Sequence, residues 1–261
     1  MTSAEQRNAG NTDVNDAIIR VRNLSAGFDG RVVLRDVSFD VRRGEIFVIA
    51  GGSGCGKSTL LKHMIGLHRP TGGSVEIDGV DIHRSAFTER EQVRRRFGVA
   101  YQSGALFGSL TVLENVCLPL EEFTELSPET IRMIALGKLR LVKMEDAANK
   151  APSELSGGMQ KRAALARALA LDPSLVFLDE PSAGLDPVTS AGLDRLVRDL
   201  RTLLKTTFVV VTHELPSILA IADRVLMLDA RQKTVAALGP PAALRESADP
   251  IVADFFNRRC P

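Results

Sequence analysis

The sequence has few cysteines, almost no net charge and no long apolar segment. Its cysteines, Cys55, Cys117 and Cys260, are odd in number and far apart, so they predict neither a disulfide framework nor a metal site and fit a reducing compartment. The formal net charge is +1, which gives no overall field that would attract nucleic acid. No uninterrupted apolar run approaches the roughly 20 residues needed to cross a bilayer, so a membrane role would depend on a partner.

Residues 1–16 lack the apolar stretch of a signal peptide, and we expect them to form a disordered polar tail. No internal repeat or low-complexity linker divides the chain. The basic cluster Arg94, Arg95 and Arg96 is interpreted as a solvated helix end rather than a nucleic-acid site. Hydrophobic residues make up 44% of the 261 residues, which is enough for a substantial core.

Predicted strands and helices alternate, which indicates a parallel sheet covered by helices. Residues 36–41 alternate with period two and join residues 18–22 and 75–77 in an N-terminal group of short strands. Asp186 and Pro187 predict the start of a helix that reaches about residue 205. Short apolar runs predict buried central strands at residues 46–50, 175–178, 208–211 and 225–228, and a further strand at residues 97–101 precedes Gln102.

A glycine-rich loop, GGSGCGKS, lies between the strand 46–50 and an apolar helix. Glycines let backbone N–H groups surround phosphate oxygens, and the helix N-terminus adds partial positive charge. Lys57 can reach the β- and γ-phosphates, and the Ser58 hydroxyl can bind Mg²⁺. An ordinary glycine-rich turn is the alternative, but strand, spacing and lysine together favour a P-loop. The predicted nucleotide-binding residues are Gly51, Gly52, Ser53, Gly54, Cys55, Gly56, Lys57, Ser58 and Thr59, with no role for the Cys55 thiol.

Two carboxylates follow the apolar run 175–178. Asp179 would hold Mg²⁺ through water, as in other P-loop enzymes, and Glu180 could orient or deprotonate the attacking water. The pair alone is a weak indication, because many strands end in acidic turns, but the P-loop upstream strengthens it.

The hexapeptide LSGGMQ at residues 155–160 precedes a helix predicted to reach about residue 171. It resembles the signature motif of the ABC ATPases, which other P-loop enzymes lack. Ser156, Gly157 and Gly158 expose N–H groups at a helix N-terminus, which forms a second anion site. The resemblance implies that this site contacts the γ-phosphate held by the opposite subunit of a head-to-tail dimer. An ordinary capped helix start would explain the serine but not the whole hexapeptide.

Four further residues match landmarks of the same family. Gln102 resembles the Q-loop glutamine, which senses metal and nucleotide and links to the permease, and His213 resembles the switch histidine that contacts the γ-phosphate. Asp186 ends a stretch, SAGLD, that resembles the D-loop. Phe28 lies where the family has an aromatic residue that stacks on adenine, with a core phenylalanine as the alternative. The implied catalytic residues are Lys57, Gln102, Glu180 and His213, and the implied metal-binding residues are Ser58, Gln102 and Asp179.

The resemblance covers residues 17–245 and implies an α/β P-loop NTPase of the ABC ATPase fold. That fold has a RecA-like core, an N-terminal antiparallel β-subdomain and an α-helical insertion. We expect an ATPase domain at residues 17–246, with the insertion at 103–153, and a C-terminal extension at 247–261. The implied ligands are ATP and Mg²⁺. The implied partners are a second copy of the chain and an integral permease on the cytoplasmic face of the inner (plasma) membrane, with no nucleic acid.

The sequence around Gln102, YQSGALF at residues 101–107, is similar to the ATPases of Mla-type lipid transporters, although Tyr101 replaces their more usual phenylalanine. This similarity implies phospholipid transport with an MCE-domain substrate-binding protein and a small accessory subunit. An importer or exporter ATPase for a small polar solute is the alternative. ABC ATPases of DNA repair or translation usually carry coiled coils, zinc sites or two cassettes, which this sequence does not show.

The apolar residues Ala105, Leu106 and Phe107 follow Gln102. In the family this junction forms a groove that receives a short cytoplasmic helix of the permease, so we expect an exposed apolar contact surface here. The alternative is that Leu106 and Phe107 pack inside the helical insertion.

Overall fold

The computed structural model of the protein describes residues 16–28 and 31–257, and of Phe28 only the backbone. The predicted tail therefore lies outside the described residues, apart from Asp16. The strands in the described part are β1 (Ala17–Phe28), β2 (Arg31–Arg42), β3 (Ile46–Ala50), β4 (Gly72–Ile77), β5 (Val80–Asp81), β6 (Phe97–Ala100), β7 (Leu175–Asp179), β8 (Thr207–Val211), β9 (Arg224–Asp229) and β10 (Thr234–Gly239).

Helices separate most of these strands and cover the sheet. They are α1 (Lys57–Met64), α2 (Phe87–Arg94), α3 (Val112–Phe123), α4 (Pro128–Leu141), α5 (Gly157–Ala168), α6 (Pro187–Leu204), α7 (Leu215–Ile221), α8 (Pro241–Arg245) and α9 (Pro250–Asn257). Within the described ranges, none of them is both long and apolar enough to span a membrane.

The larger sheet has the strand order β10-β9-β3-β8-β7-β6 and is parallel except for β10. Both of its faces are buried, as the continuous apolar runs predicted. On β3, Ile46 and Val48 contribute to a core shared with the helices, while Phe47 and Ile49 contribute to a second core. The predicted central strands are therefore confirmed, and their carboxyl ends meet at one edge.

The smaller sheet is antiparallel, with the order β2-β1-β4-β5. On β2, Val37, Phe39 and Val41 are buried, which confirms the face predicted from their period-two spacing. Strand β1 extends beyond the predicted residues 18–22, because a register shift between Val21 and Leu24 lets pairing with β2 continue. This sheet is the N-terminal antiparallel subdomain expected of the fold.

The structure describes every residue between β6 and α5, and this interval contains no strand. It is filled by α3, α4 and two short 3₁₀ turns. Ile131, Ala135 and Leu139 of α4 belong to the core cluster that also includes α5. The segment thus packs against α5, while its boundaries as an inserted unit at residues 103–153 stay a prediction.

The ends of three helices test the sequence predictions. Helix α6 begins at Pro187 with Asp186 as its N-cap and ends at Leu204, as predicted. Helix α5 ends at Ala168, so its predicted extension to about residue 171 is wrong, and a turn at Asp172, with φ of +51°, leads into β7. Helix α2 ends at Arg94, and the basic cluster is exposed there as expected.

The C-terminal extension contributes to the core rather than lying apart from it. Val252 and Phe256 of α9 are fully buried in the same cluster as the helices that flank the parallel sheet. Residues 258–261, including Cys260, lie outside the described part of the chain.

Candidate nucleotide-binding and catalytic site

The P-loop connects β3 to α1 through backbone conformations that favour glycine. Gly51 has φ of +143°, and a Cβ atom there would lie 2.8 Å from the carbonyl oxygen of Leu228. Gly56, with φ of +101°, is the N-cap of α1, and a Cβ atom there would lie 2.8 Å from the Leu34 side chain. The loop therefore needs glycine at both ends, and it leads into the first N–H groups of α1, which have no carbonyl partner within the helix.

Lys57 is the first residue of α1 and is buried. Its ammonium group donates hydrogen bonds to the carbonyl oxygens of Gly51, at 2.9 Å, and Gly52, at 3.1 Å. Phosphate oxygens are stronger acceptors for an ammonium group than neutral carbonyls. The lysine is thus positioned beside the loop and can exchange these contacts for a bound phosphate.

An open pocket of about 360 Å³ brings the predicted residues together. P-loop, Q-loop and strand-end side chains share this space although they are far apart in the sequence. The lining residues are Val33, Ser53, Gly54, Gly56, Lys57, Ser58, Thr59, Gln102, Glu180 and His213. The side chain of Phe28 lies outside the described residues, so its predicted stacking on adenine stays a prediction.

Glu180 follows the last residue of β7 and is anchored at its backbone. Its φ is +46°, which is unfavourable for a residue with a side chain, and its N–H donates to the Val211 carbonyl at 2.8 Å. Oε1 lies 2.9 Å from His213 Nδ1. Oε2 is buried and has no hydrogen-bond partner within the described part of the chain.

Asp179 is the last residue of β7, and its Oδ1 is likewise buried without a hydrogen-bond partner among the described residues. Burial raises the pKa of this carboxyl above its usual value, and the neighbouring Glu180 raises it further. Three ammonium groups oppose the rise, those of Lys62, Lys161 and Lys57. Two adjacent carboxylates with unpartnered oxygens at a strand end need a cation or water as a partner.

The signature residues do not line this pocket. Ser156 is the N-cap of α5 and accepts a hydrogen bond from the Met159 N–H at 3.3 Å. Gly158 packs so closely on α6 that a Cβ atom there would lie 2.5 Å from Thr189 Cγ2. Gly157 instead lines a neighbouring pocket of about 530 Å³, which it shares with Gln102 and Asp179.

The carboxylate of Asp186 accepts hydrogen bonds from its own chain. It accepts hydrogen bonds from the N–H groups of Val188, at 3.0 Å, and Thr189, at 3.1 Å, at the start of α6. Hydrogen bonds from Thr189 and Val188 lower the pKa of this carboxyl. Its expected part in nucleotide binding stays a prediction.

The structure adds a residue that the sequence did not single out. Lys161, on α5, lines the same neighbouring pocket as Gln102 and Asp179. No pattern in the sequence indicated it, because its contacts are with residues 59 and 19 positions away. Cys55, by contrast, has a buried thiol whose pKa is raised by burial.

Residues 34–183 match the family described as ABC transporter. The chain is 42% identical over 241 residues to the "probable ribonucleotide transport ATP-binding protein mkl" of Mycobacterium leprae, covering 92% of this chain and 69% of the relative. It is also 42% identical over 244 residues to the "intermembrane phospholipid transport system ATP-binding protein MlaF" of Haemophilus influenzae, covering 94% and 92%.

A solved structure has a similar fold. It is a dimer of the ATP-binding cassette MJ0796 in a post-hydrolysis state, bound to ADP and Pi, with 33% identity and a TM-score of 0.77. The similarity covers 85% of this chain and 98% of that one. The chain therefore belongs to the ABC transporter family, as a subunit that hydrolyses ATP to drive transport.

Proposed function

We propose that the pocket between the P-loop, Gln102 and His213 binds the phosphates of ATP, with Glu180 as the general base. The shared lining of one pocket by Lys57, Glu180 and His213 carries this proposal. Water attacks the γ-phosphorus, the bond between the β,γ-bridging oxygen and the γ-phosphorus breaks, and Glu180 accepts the proton from water. His213 Nδ1 contacts one carboxylate oxygen, which leaves the other, buried and without a hydrogen-bond partner in the described residues, to accept the proton.

The donor set fits Mg²⁺, which prefers hard oxygen ligands. Ser58 supplies a hydroxyl, Gln102 an amide oxygen and Asp179 a carboxylate with a buried oxygen that lacks a hydrogen-bond partner in the described residues. A bound Mg²⁺ would neutralise charge that develops on the phosphates. Asp179, whose pKa is raised by burial, would be held ionised by the ion.

We further propose that two copies of the chain form the complete site head to tail. The signature residue Ser156 and the P-loop residue Lys57 do not share the pocket of a single chain, so a second subunit has to bring the signature to the nucleotide. The dimeric ADP-bound cassette with a similar fold supports this arrangement.

The permease contact is proposed at Phe107. Its side chain is 57% exposed, and the fully buried Asn115 holds its backbone by accepting from Phe107 N–H at 2.8 Å and donating to the carbonyl at 3.1 Å. Leu106 differs, because it packs against the main hydrophobic cluster. Leu106 is thus partly buried, as in the alternative of inward packing, while Phe107 remains available to a partner.

For the transported substrate we propose phospholipid, moved by a permease with an MCE-domain protein. The similarity to the relative named as phospholipid transport protein MlaF spans nearly the whole of both chains, and this observation supports the proposal. A ribonucleotide is the second candidate, because the relative named mkl is equally identical, although the match covers less of it. On either proposal the chain acts at the cytoplasmic face of the inner membrane.

One reconstitution separates the two substrates. The chain is purified with its native permease, placed in proteoliposomes, and assayed for ATP hydrolysis and movement of labelled phospholipid or labelled ribonucleotide. We expect an MCE-domain protein to copurify and ATP-dependent movement of phospholipid alone. Movement of ribonucleotide without phospholipid would overturn the lipid proposal and leave the ATPase site untouched.

A further inference from the structure

Lys161 contacts both catalytic segments of its own subunit. It lies on α5, five positions after Ser156, and its ammonium group donates a hydrogen bond to the main-chain carbonyl of Gln102. The same group lies 3.4 Å from the main-chain carbonyl of Glu180. One side chain thus reaches the Q-loop, the end of β7 and the helix that begins with the signature.

The backbone that Lys161 contacts needs outside support. Glu180 adopts φ of +46°, and such conformations persist only where the surroundings over-determine them. Its carbonyl also accepts from the Ala183 N–H at 3.2 Å. Lys161 therefore adds a contact to a residue whose backbone direction decides where its carboxylate points.

A second cation on α5 supports the next part of the Q-loop. Arg167 donates to the carbonyl of Ala105 at 2.8 Å and to that of Gly104 at 3.1 Å. Ala105 also has φ of +46°. Two positively charged side chains of one helix thus hold two segments that include residues in left-handed conformations, Ala105 and Glu180.

We propose that Lys161 is a positioning residue that joins the signature helix of each subunit to the Q-loop and catalytic glutamate of the same subunit. The inference rests on the proposed roles of Gln102, Glu180 and Ser156. In a head-to-tail dimer Ser156 would contact the partner's nucleotide, while Gln102 and Glu180 would contact the subunit's own. A displacement of α5 at one site is then transmitted by Lys161 to the backbone of the other.

A purely electrostatic role is the competing explanation. The Lys161 ammonium lies near the carboxylates of Asp179 and Glu180 and offsets their charge. Lys62 also offsets the charge of Asp179, but it is exposed, on α1, and no hydrogen bond from its side chain to Gln102 or Glu180 occurs in the described residues. Lys62→Met is therefore a matched control that removes nearby charge without removing the connection.

The test uses the full chain assembled with its permease. Lys161→Met should lower kcat by about tenfold while the KM for ATP stays within about twofold of wild type. Lys161→Arg should recover about half of the lost rate, because a guanidinium can reach the same carbonyls, and Lys62→Met should stay within about twofold of wild type. An unchanged kcat in Lys161→Met, an equal loss in Lys62→Met or no recovery with arginine would overturn the proposal.

Hydrogen exchange gives a second readout that does not depend on turnover or on the methionine variant folding well. In Lys161→Gln the amides of residues 103–106 should exchange faster than in wild type, and in Lys62→Met they should not. Equal protection in the three proteins would contradict the connection. If Glu180→Gln retained turnover, the proposed catalytic site would fail by itself, whereas activity loss in Glu180→Gln without any effect of Lys161→Met would reject only this inference.

Discussion

His213 Nδ1 lies 2.9 Å from Glu180 Oε1, while Glu180 Oε2 is buried and has no hydrogen-bond partner in the described part of the chain. The two oxygens of one carboxylate therefore have different tasks available to them. His213 is more exposed than Glu180, and it contacts the glutamate side chain from the pocket. The unpartnered oxygen is the one that we propose accepts the proton from water.

Replacing Glu180 by glutamine should separate binding from hydrolysis. The amide keeps the shape of the side chain but cannot accept a proton from water, so we expect kcat to fall by about a hundredfold or more. ATP affinity should remain close to that of wild type, and an ATP-bound dimer should accumulate. Size-exclusion chromatography with ATP and single-turnover kinetics would measure both; turnover near the wild-type rate would remove Glu180 from the role of base.

Lys57→Ala should weaken nucleotide binding itself. Loss of a charge-assisted phosphate contact costs roughly 1.5–3 kcal/mol, so the Kd for ATP should rise by about 10- to 150-fold. Fluorescent-nucleotide titration measures the change, with Lys62→Met as a control on the exposed face of α1. An unchanged Kd would contradict the P-loop assignment.

Mixed dimers test whether the signature acts across the interface. With Lys57→Ala on one subunit and Ser156→Arg on the other, both defects fall in one composite site and the second site stays intact. About half of the wild-type turnover should survive if the sites act independently. With both changes on the same chain, each composite site carries one defect, and turnover should be lost. The reverse pattern would show that the signature serves its own subunit.

Phe107→Asp should release the chain from the permease without unfolding it. The side chain is largely exposed, and the backbone at this position is held by Asn115 rather than by the ring. We expect unchanged thermal stability and ATP binding but loss of permease in detergent pull-downs. Leu106→Asp is the matched comparison: because Leu106 packs on the core cluster, it should lower stability. Retention of the permease by Phe107→Asp would place the contact elsewhere.

Two buried histidines should make the protein less stable in mild acid. Burial lowers the pKa of His63 and His83 below the value of about 6.5 for an exposed histidine. The unfolded chain then binds more protons, so the free energy of unfolding should fall as pH decreases below about 6.5 and level off below the folded-state pKa values. The effect has a structural cause, because His63 Nε2 is buried without a hydrogen-bond partner among the described residues.

His83→Gln tests whether the buried histidines cause this loss of stability in acid. Glutamine can still donate to the His63 carbonyl, which His83 Nε2 contacts at 2.9 Å, but it does not titrate. Urea unfolding at pH 7 and pH 5.5 should show a smaller acid-induced loss of stability in the variant. An equal loss in both proteins would assign the acid sensitivity to other groups.

The local chemistry of this chain follows from its sequence alone. The P-loop, the acidic end of β7, the cap of α6 and the buried central strands were predictable because each depends on neighbouring residues: glycines that permit positive φ, a side chain that caps its own helix, and apolar runs that need burial on both faces. Their order also carried the resemblance to the family.

Tertiary structure decided which of these residues meet and which do not. The ends of parallel strands bring Gln102, Glu180 and His213 to one pocket with Lys57, while Ser156 lies outside it. Leu106 packs partly on the core cluster and Phe107 is exposed, in a loop whose backbone is held by Asn115, eight residues from Phe107. The contacts of Lys161 with Gln102 and Glu180 depend on the packing of α5 beside the sheet. Sequence spacing cannot specify such relationships, since they depend on how separate elements pack and not on the conformation of any one segment.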